Sequence, residues 1–187
     1  TLYHLHRQGQ SIPVDHTTLG EHLRSHGYHA WSCGKWHNGG DSFNRSFADG
    51  EEIYFGGMCD HWNVPAFHYD PTGEYASKLP ICADPMTSKQ VNWREADHII
   101  SGKHSSELLA DAAVRFLETY ESNQPFFAYL STLAPHDPRV MPQHWLDRYG
   151  LDSVDLPASF MPEHPFDNGE LHVRDETLAG LPRTEAE

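Results

Sequence analysis

A long amphipathic segment followed at once by an apolar run leaves few folds open to this chain. From about Ser105 to Ser122, apolar side chains recur with helical spacing and leave the charged ones outward. Asn123 and Pro125 end that pattern, and Phe126 to Leu133 then form a nearly continuous apolar stretch. Such a stretch is typical of a strand buried on both faces of a parallel sheet. Helix, buried strand and polar loop in this order predict an α/β fold.

A second unit of the same kind lies near the start of the chain. Thr18-Leu19-Gly20-Glu21 has the form of a capping box, in which a hydroxyl and a later Glu close the first helical turn. We expect this helix to run to about His26 and to stop at Gly27, which tolerates a left-handed conformation. Tyr28 to Cys33 then predicts a short strand that leads into the polar loop from Gly34 to Gly40.

We expect four stretches that together make up part of one domain, since 187 residues suffice for a single hydrophobic core. Residues 1–40 form the first helix–strand–loop unit and residues 101–150 the second, with a short helix near 143–149. Residues 41–100 are rich in Gly, Pro, Asp and aromatics, which predicts irregular structure with short strands over one end of the sheet. Residues 151–187 are a Pro-rich, acidic extension.

Composition argues against several classes of partner. The formal charge of −14 repels a phosphate backbone, and no Lys/Arg cluster overrides it, so nucleic acid is not expected. No apolar run approaches the roughly 20 residues of a membrane span. No initiator Met or signal peptide is visible at Thr1, which is compatible with a lost leader and leaves the localisation open. Three cysteines, Cys33, Cys59 and Cys82, cannot all pair within the chain, and we expect them to be buried or partly buried.

Histidines and cations follow both predicted strands. Lys35 and His37 lie after the first strand, and His136 and Arg139 lie after the second. Loops at the carboxyl ends of parallel strands share one edge of the sheet, where α/β proteins bind ligands. A Lys and two His there would hold an oxyanion and supply protons to a leaving group. Solvated loops are the plainer interpretation, and spacing alone does not decide between the two.

Two ordered motifs resemble those of the sulfatase family. In the first, the helix at Thr18–Leu23 leads through Gly27-Tyr28 to Gly34-Lys35-Trp36-His37. In the second, an apolar strand ends in Ala134-Pro135-His136-Asp137-Pro138. Two further stretches resemble bacterial members of the carbohydrate-sulfatase type more loosely: Phe55–Pro65 and Pro162–Glu170.

The resemblance implies an alkaline-phosphatase-like α/β sandwich with a mostly parallel central sheet, present only in part. This chain would be an internal piece of the N-terminal catalytic domain. The nucleophile of the family is a formylglycine, made from the Cys or Ser of a C/S-x-P-x-R motif and held beside a divalent cation, usually Ca²⁺. A periplasmic or secreted location is suggested by the resemblance only.

The resemblance also implies roles for single residues. Lys35 would bridge the sulfate and the aldehyde hydrate, and His37 would bond the formylglycine hydroxyl and assist its deprotonation. His136 would contact the sulfate near the bridging oxygen and protonate the departing alcohol. His61 and Trp62 would border a sugar subsite. Arg139 has no such assignment, and we expect it to be structural or at the substrate rim.

The departures from the family pattern concern the nucleophile and the metal. None of the three cysteines begins C-x-P-x-R, and the upstream Asp-Asp pair of the family is missing. We therefore expect the nucleophile and the metal ligands to lie outside this stretch, which alone would be inactive. Asp167-Asn168-Gly169 resembles the downstream metal-binding pair, but it lies in a Pro-rich loop, where a turn is the better interpretation.

The function that this pattern predicts for the complete protein is hydrolysis of sulfate esters, with a sulfated carbohydrate favoured over an aryl sulfate. The partner is thus a small-molecule or glycan sulfate ester. One alternative is a phosphodiesterase or phosphonate hydrolase on the same fold. Another is a non-catalytic metal- or sugar-binding protein, for which the histidine pairs His22/His26 and His4/His6, the pair Cys59/His61 and the five tryptophans give weak support.

Overall fold

The strand that ends at Lys35 is the central strand of a parallel sheet. The computed structural model describes residues 11–84, 86, 89–150, 153–166 and 181–185. Its elements in chain order are α1 (Leu19–Ser25), β1 (His29–Lys35), α2 (Gly40–Ser46), β2 (Asp49–Tyr54), β3 (Pro65–Ala66), β4 (Lys78–Cys82), β5 (Val91–Glu95), β6 (His98–Ile99), α3 (Ser105–Thr119), β7 (Phe126–Ser131) and α4 (Gln143–Leu146). Parallel pairing gives the order β2-β1-β7. The chain divides into two units, Thr1–Val140 and Met141–Glu187.

The predicted start of the first helix is confirmed. The Thr18 hydroxyl accepts a hydrogen bond from the Glu21 amide at 3.2 Å, and the Glu21 carboxylate accepts one from the Thr18 amide at 2.8 Å. This reciprocal capping satisfies two amides that the first helical turn leaves without partners.

Helices cover both faces of the sheet, and alternate side chains of β1 pack against the two sides. Trp31 and Cys33 point toward α3, where the ring of Trp31 stacks on Phe116 with centroids 4.6 Å apart. Ala30 points to the opposite face and joins a second core with Phe43 of α2. A parallel sheet covered in this way confirms the α/β class.

The apolar strand β7 is not buried on both faces, and that prediction is wrong. Phe126 is 41% exposed and Leu130 is 47% exposed. The physical reason is that β7 pairs only with β1 among the described strands and so forms an edge. The central strand β1 is the buried one, although it carries the polar Ser32.

The stretch 41–100 contains more regular structure than its composition indicates. The helix α2 and the strand β2 belong to the main layers, while β3–β6 and β4–β5 are two small antiparallel pairs. β2 is interrupted at Glu52, which has a φ of 51° and lies where the pairing with β1 shifts its register. The sequence pattern does not reveal β2, because a strand that reads Asp-Gly-Glu-Glu resembles a loop.

The second unit contains the short helix α4, which agrees with the helix predicted near 143–149. His4, His6 and the Asp167-Asn168 pair lie outside the described residues. No helix among the residues described is long and apolar enough to cross a membrane.

Gly34 allows the close approach of β1 to β7 that precedes Lys35. It has a φ of +92°, and a Cβ there would overlap the Ser131 carbonyl oxygen. Gly27 has a similar φ of +85°, but a Cβ added there would meet nothing within 4 Å.

We predict that Gly27→Ala lowers the free energy of unfolding by about 1–2 kcal/mol through backbone strain alone. Gly34→Ala should cost about 1–3 kcal/mol more because it also forces the strands apart.

Urea unfolding of the two variants measures the difference. Equal losses of stability in Gly27→Ala and Gly34→Ala would contradict a tight contact between β1 and β7 at this point.

Candidate active site

The parallel pairing of β1 and β7 brings their following loops to one edge of the sheet. Gly34 lies opposite Ser131 in the register, so Lys35 and the loop from Thr132 to Val140 leave the sheet side by side. Tyr54, at the end of β2, lies opposite Lys35 on the other side. The carboxyl ends of all three strands of this sheet therefore surround Lys35.

Three of the predicted site residues interact electrostatically. His37 is exposed, and its pKa is lowered by partial desolvation, then by the charge of Lys35 and, more weakly, by that of His136. A backbone hydrogen bond with Gly56 opposes that shift. Desolvation also lowers the pKa of the half-buried Lys35. At neutral pH this arrangement offers a neutral imidazole beside an ammonium group, which can accept a proton and stabilise an anion.

Two residues beside Lys35 were not predicted for this site. The Tyr54 hydroxyl donates to the Met58 carbonyl at 2.8 Å, and burial raises its pKa. Burial also raises the pKa of the Cys59 thiol, which lies within electrostatic range of Lys35 and contacts Tyr54. Tyr54 belongs to no recognisable motif and is found only through the strand register. Cys59 lies in the loosely similar stretch Phe55–Pro65, and only the folded chain brings it near Lys35.

The loop after β7 is ordered by its own contacts. The His136 amide donates to the Leu133 carbonyl at 3.0 Å in a turn. The exposed Arg139 forms an ion pair with Asp137 at 3.0 Å. The contact that the structure shows for Arg139 is thus within the loop.

His61 and Trp62 lie beside this loop in different environments. His61 is only 2% exposed, and its Nδ1 lies 2.9 Å from the Ser105 hydroxyl. Trp62 is half-buried and packs edge-on against His104, with ring centroids 5.2 Å apart. Of the two, Trp62 offers the accessible surface.

A cavity of about 440 Å³ opens beside His37. Among the described residues, its lining contains aromatic rings and carboxylates but no Lys or Arg: Trp36, Phe55, Tyr75, Asp41, Glu74 and Glu95. Tyr75 is fixed by the hydrogen bond from its hydroxyl to the Asn44 side chain at 2.7 Å. Aromatic faces with hydrogen-bond acceptors around them fit an uncharged polyhydroxy group better than a polyanion.

The described residues do not fit a metal centre. Among them, no group of three or more His, Cys, Asp or Glu side chains could hold an ion. The rings of His22 and His26 are 4.4 Å apart, but His26 Nδ1 lies 2.8 Å from the His22 carbonyl and is engaged there. Nδ1 of His61, considered with Cys59, is likewise engaged by Ser105.

Comparison with known proteins gives a consistent result. A family model described as Sulfatase matches residues 1–159. An arylsulfatase of Klebsiella aerogenes is 30% identical over 150 residues, which cover 71% of this chain and 27% of that protein. An uncharacterized sulfatase of Schizosaccharomyces pombe is 30% identical over 136 residues, covering 70% of this chain and 23% of that protein. An N-acetylglucosamine-6-O-sulfatase of Bacteroides thetaiotaomicron is 26% identical over 122 residues, which cover 65% of this chain and 17% of that protein. The chain spans about a quarter or less of the length of these relatives.

The three thiols should differ in reactivity in an order set by their surroundings. Cys82 is exposed and Cys59 is half-buried, while Cys33 is fully buried with its pKa raised to about 12. Because the thiolate is the reactive form, we predict that iodoacetamide near neutral pH modifies Cys82 first, Cys59 more slowly and Cys33 only after unfolding. Mass spectrometry of the labelled peptides measures the order, and early labelling of Cys33 would contradict the buried position of β1.

Proposed function

Since the chain belongs to the sulfatase family, whose alkaline-phosphatase-like α/β fold it contains in part, we propose that the complete protein hydrolyses sulfate esters. Two observations support this most directly. Lys35 and the loop of His136 follow the carboxyl ends of paired parallel strands, and the pKa of His37 is lowered by desolvation and by the charges of both Lys35 and His136. All three belong to the motifs that resemble sulfatases.

In this proposal the three residues divide the work around the sulfate group. Lys35 binds a sulfate oxygen, and its charge stabilises the negative charge that develops during transfer. The neutral ring of His37 accepts a proton from the formylglycine hydroxyl. His136 donates a proton to the departing alcohol. Each proton transfer of this kind contributes roughly 10²–10⁴-fold to the rate.

The nucleophile and the metal are proposed to come from residues other than the described ones. The sequence contains no C-x-P-x-R at its cysteines, and the described residues do not fit a metal site. We propose a formylglycine as the source of the attacking oxygen and a divalent cation such as Ca²⁺, which would supply positive charge to the sulfate. This stretch by itself should then have little or no turnover.

We propose a sulfated carbohydrate as the substrate. The cavity beside His37 has aromatic walls and three carboxylates, and no Lys or Arg of the described part of the chain lines it, so hydroxyl groups and ring faces of a sugar would fit it. Glu95 is partly neutralised by Lys78 at 3.6 Å, whereas Asp41 and Glu74 keep the cavity acidic. A second anionic group on the sugar would be repelled there. The half-buried Trp62 is proposed to lie at the rim of the sugar site.

Substitution of Lys35 tests the proposal directly. We predict that Lys35→Ala in the full-length protein lowers kcat/KM for a sulfate ester by about 10²–10³-fold, since one stabilising contact to the developing charge is lost. Lys89→Ala, which removes an exposed Lys outside the cavity beside His37, is the matched control and should retain activity. Undiminished sulfate release by Lys35→Ala would refute its role.

The choice of reacting group separates this function from its alternative. Lys35 and the two histidines would also bind a phosphate, so a phosphodiesterase or phosphonate hydrolase is the competing assignment. We predict that the full-length protein turns over an alkyl sulfate ester at least about tenfold faster than the matching phosphate diester, with both compared by kcat/KM. A reversed preference would favour the alternative, and no turnover of either ester would favour a binding protein.

A further inference from the structure

Two buried histidines connect the start of α3 to the loop that carries His136. His61 is 2% exposed and His104 is 3% exposed. His61 lies in the loop before β3, and His104 is the residue that caps α3. Neither side chain is exposed enough to contact a substrate. Their function must therefore follow from the protein groups to which they bond.

His61 has protein partners on both sides of its ring. Its Nδ1 lies 2.9 Å from the Ser105 hydroxyl, and the Ser105 amide donates to the His61 carbonyl at 2.7 Å. A hydrogen-bonding interaction with the backbone of His136 raises the pKa of this ring, as a carbonyl acceptor does. Burial outweighs that interaction and lowers the pKa of His61, which favours the neutral ring. A neutral ring that donates toward His136 through Nε2 would accept from the Ser105 hydroxyl at Nδ1.

His104 holds the far end of the same loop. Its Nδ1 accepts a hydrogen bond from the Ser106 amide at 3.3 Å and thereby caps α3. That bond leaves Nε2 as the protonated nitrogen, and Nε2 lies 3.0 Å from the Val140 carbonyl. The two rings are neighbours, with centroids 5.4 Å apart.

We propose that His61 and His104 are positioning residues that fix the loop from Leu133 to Val140 and thereby hold His136 over the leaving oxygen of the substrate. This inference rests on the role proposed above for His136. His61 fixes the backbone of His136 itself, and His104 fixes Val140, while Ser105 sets the orientation of the His61 ring. The helix α3 thus serves as the rigid base for the proton donor.

The ratio of two activities tests this role in the full-length protein. An alkyl sulfate ester needs a proton on its departing alcohol, whereas the phenolate of 4-nitrophenyl sulfate leaves without one. We predict that His61→Leu lowers kcat for the alkyl ester by about 10–100-fold, as a displacement of the donor by about 1 Å would. The loss of kcat on 4-nitrophenyl sulfate should be about threefold or less, and KM should change little. His61→Gln should recover most of the loss, because its amide N–H can still donate toward the His136 carbonyl.

A double variant separates positioning from general destabilisation. If His61 acts through His136, His61→Leu should cause no further loss of alkyl ester turnover in a His136→Ala background. His98→Gln is the matched control. His98 pairs with the buried Glu52 at 2.9 Å, so its loss should lower stability without changing the ratio of the two activities.

The outcomes that overturn the proposal are distinct. Equal loss on both esters, or an effect of His61→Leu that persists without His136, would show that His61 does not act through His136. If His136→Ala itself fails to reduce alkyl ester turnover selectively, the proposed role of His136 fails and this inference with it. Should His61→Leu not fold, Ser105→Ala removes only the hydroxyl that orients the ring. An unchanged activity ratio in that variant would overturn the proposal, and a shift of about 3–10-fold would support it.

Discussion

The pairing of β1 with β7 is the contact on which the site depends. Because the strands are parallel and Gly34 lies opposite Ser131, two segments about a hundred residues apart in the chain end at the same edge. No loop contact could replace this arrangement, since the ladder fixes both direction and register. The close approach of the strands requires glycine at position 34, next to Lys35, to which we assign the contact with the sulfate. Fold and chemistry are therefore joined in adjacent residues.

Two acidic residues of β2, the strand that pairs with β1 beside Lys35, are engaged by partners on other elements. Glu51 makes a two-point ion pair with Arg115 of α3, with its closest contact at 2.7 Å, and Glu52 pairs with His98. These bonds connect β2 to α3 and to β6. The net charge of −14 thus describes the whole surface, while the field at the sheet edge is set by local neighbours. Composition alone does not reveal the local field at the sheet edge.

Sequence reasoning succeeds where local chemistry decides the structure and fails where neighbours decide it. The capping box at Thr18, the amphipathic helix α3 and the two strands before the polar loops follow from spacing and turn residues. β2 escapes notice because its polar side chains are satisfied by partners far along the chain. The burial of β7 is overestimated for the same reason, since an apolar strand shows nothing of its position in a sheet. Cys59, Ser105 and His104 enter the picture only through tertiary contacts.

The sheet alone does not determine where His136 lies, because that residue follows β7 by several positions of irregular chain. A loop that must present a proton donor within about 0.5 Å needs supports of its own. Burying two imidazoles is costly unless every nitrogen has a partner, and here each ring is bonded on both sides. If these histidines only filled space, apolar residues would do so without needing hydrogen-bond partners. Two buried imidazole rings that contact one loop from outside it are better explained by the precision that this loop requires.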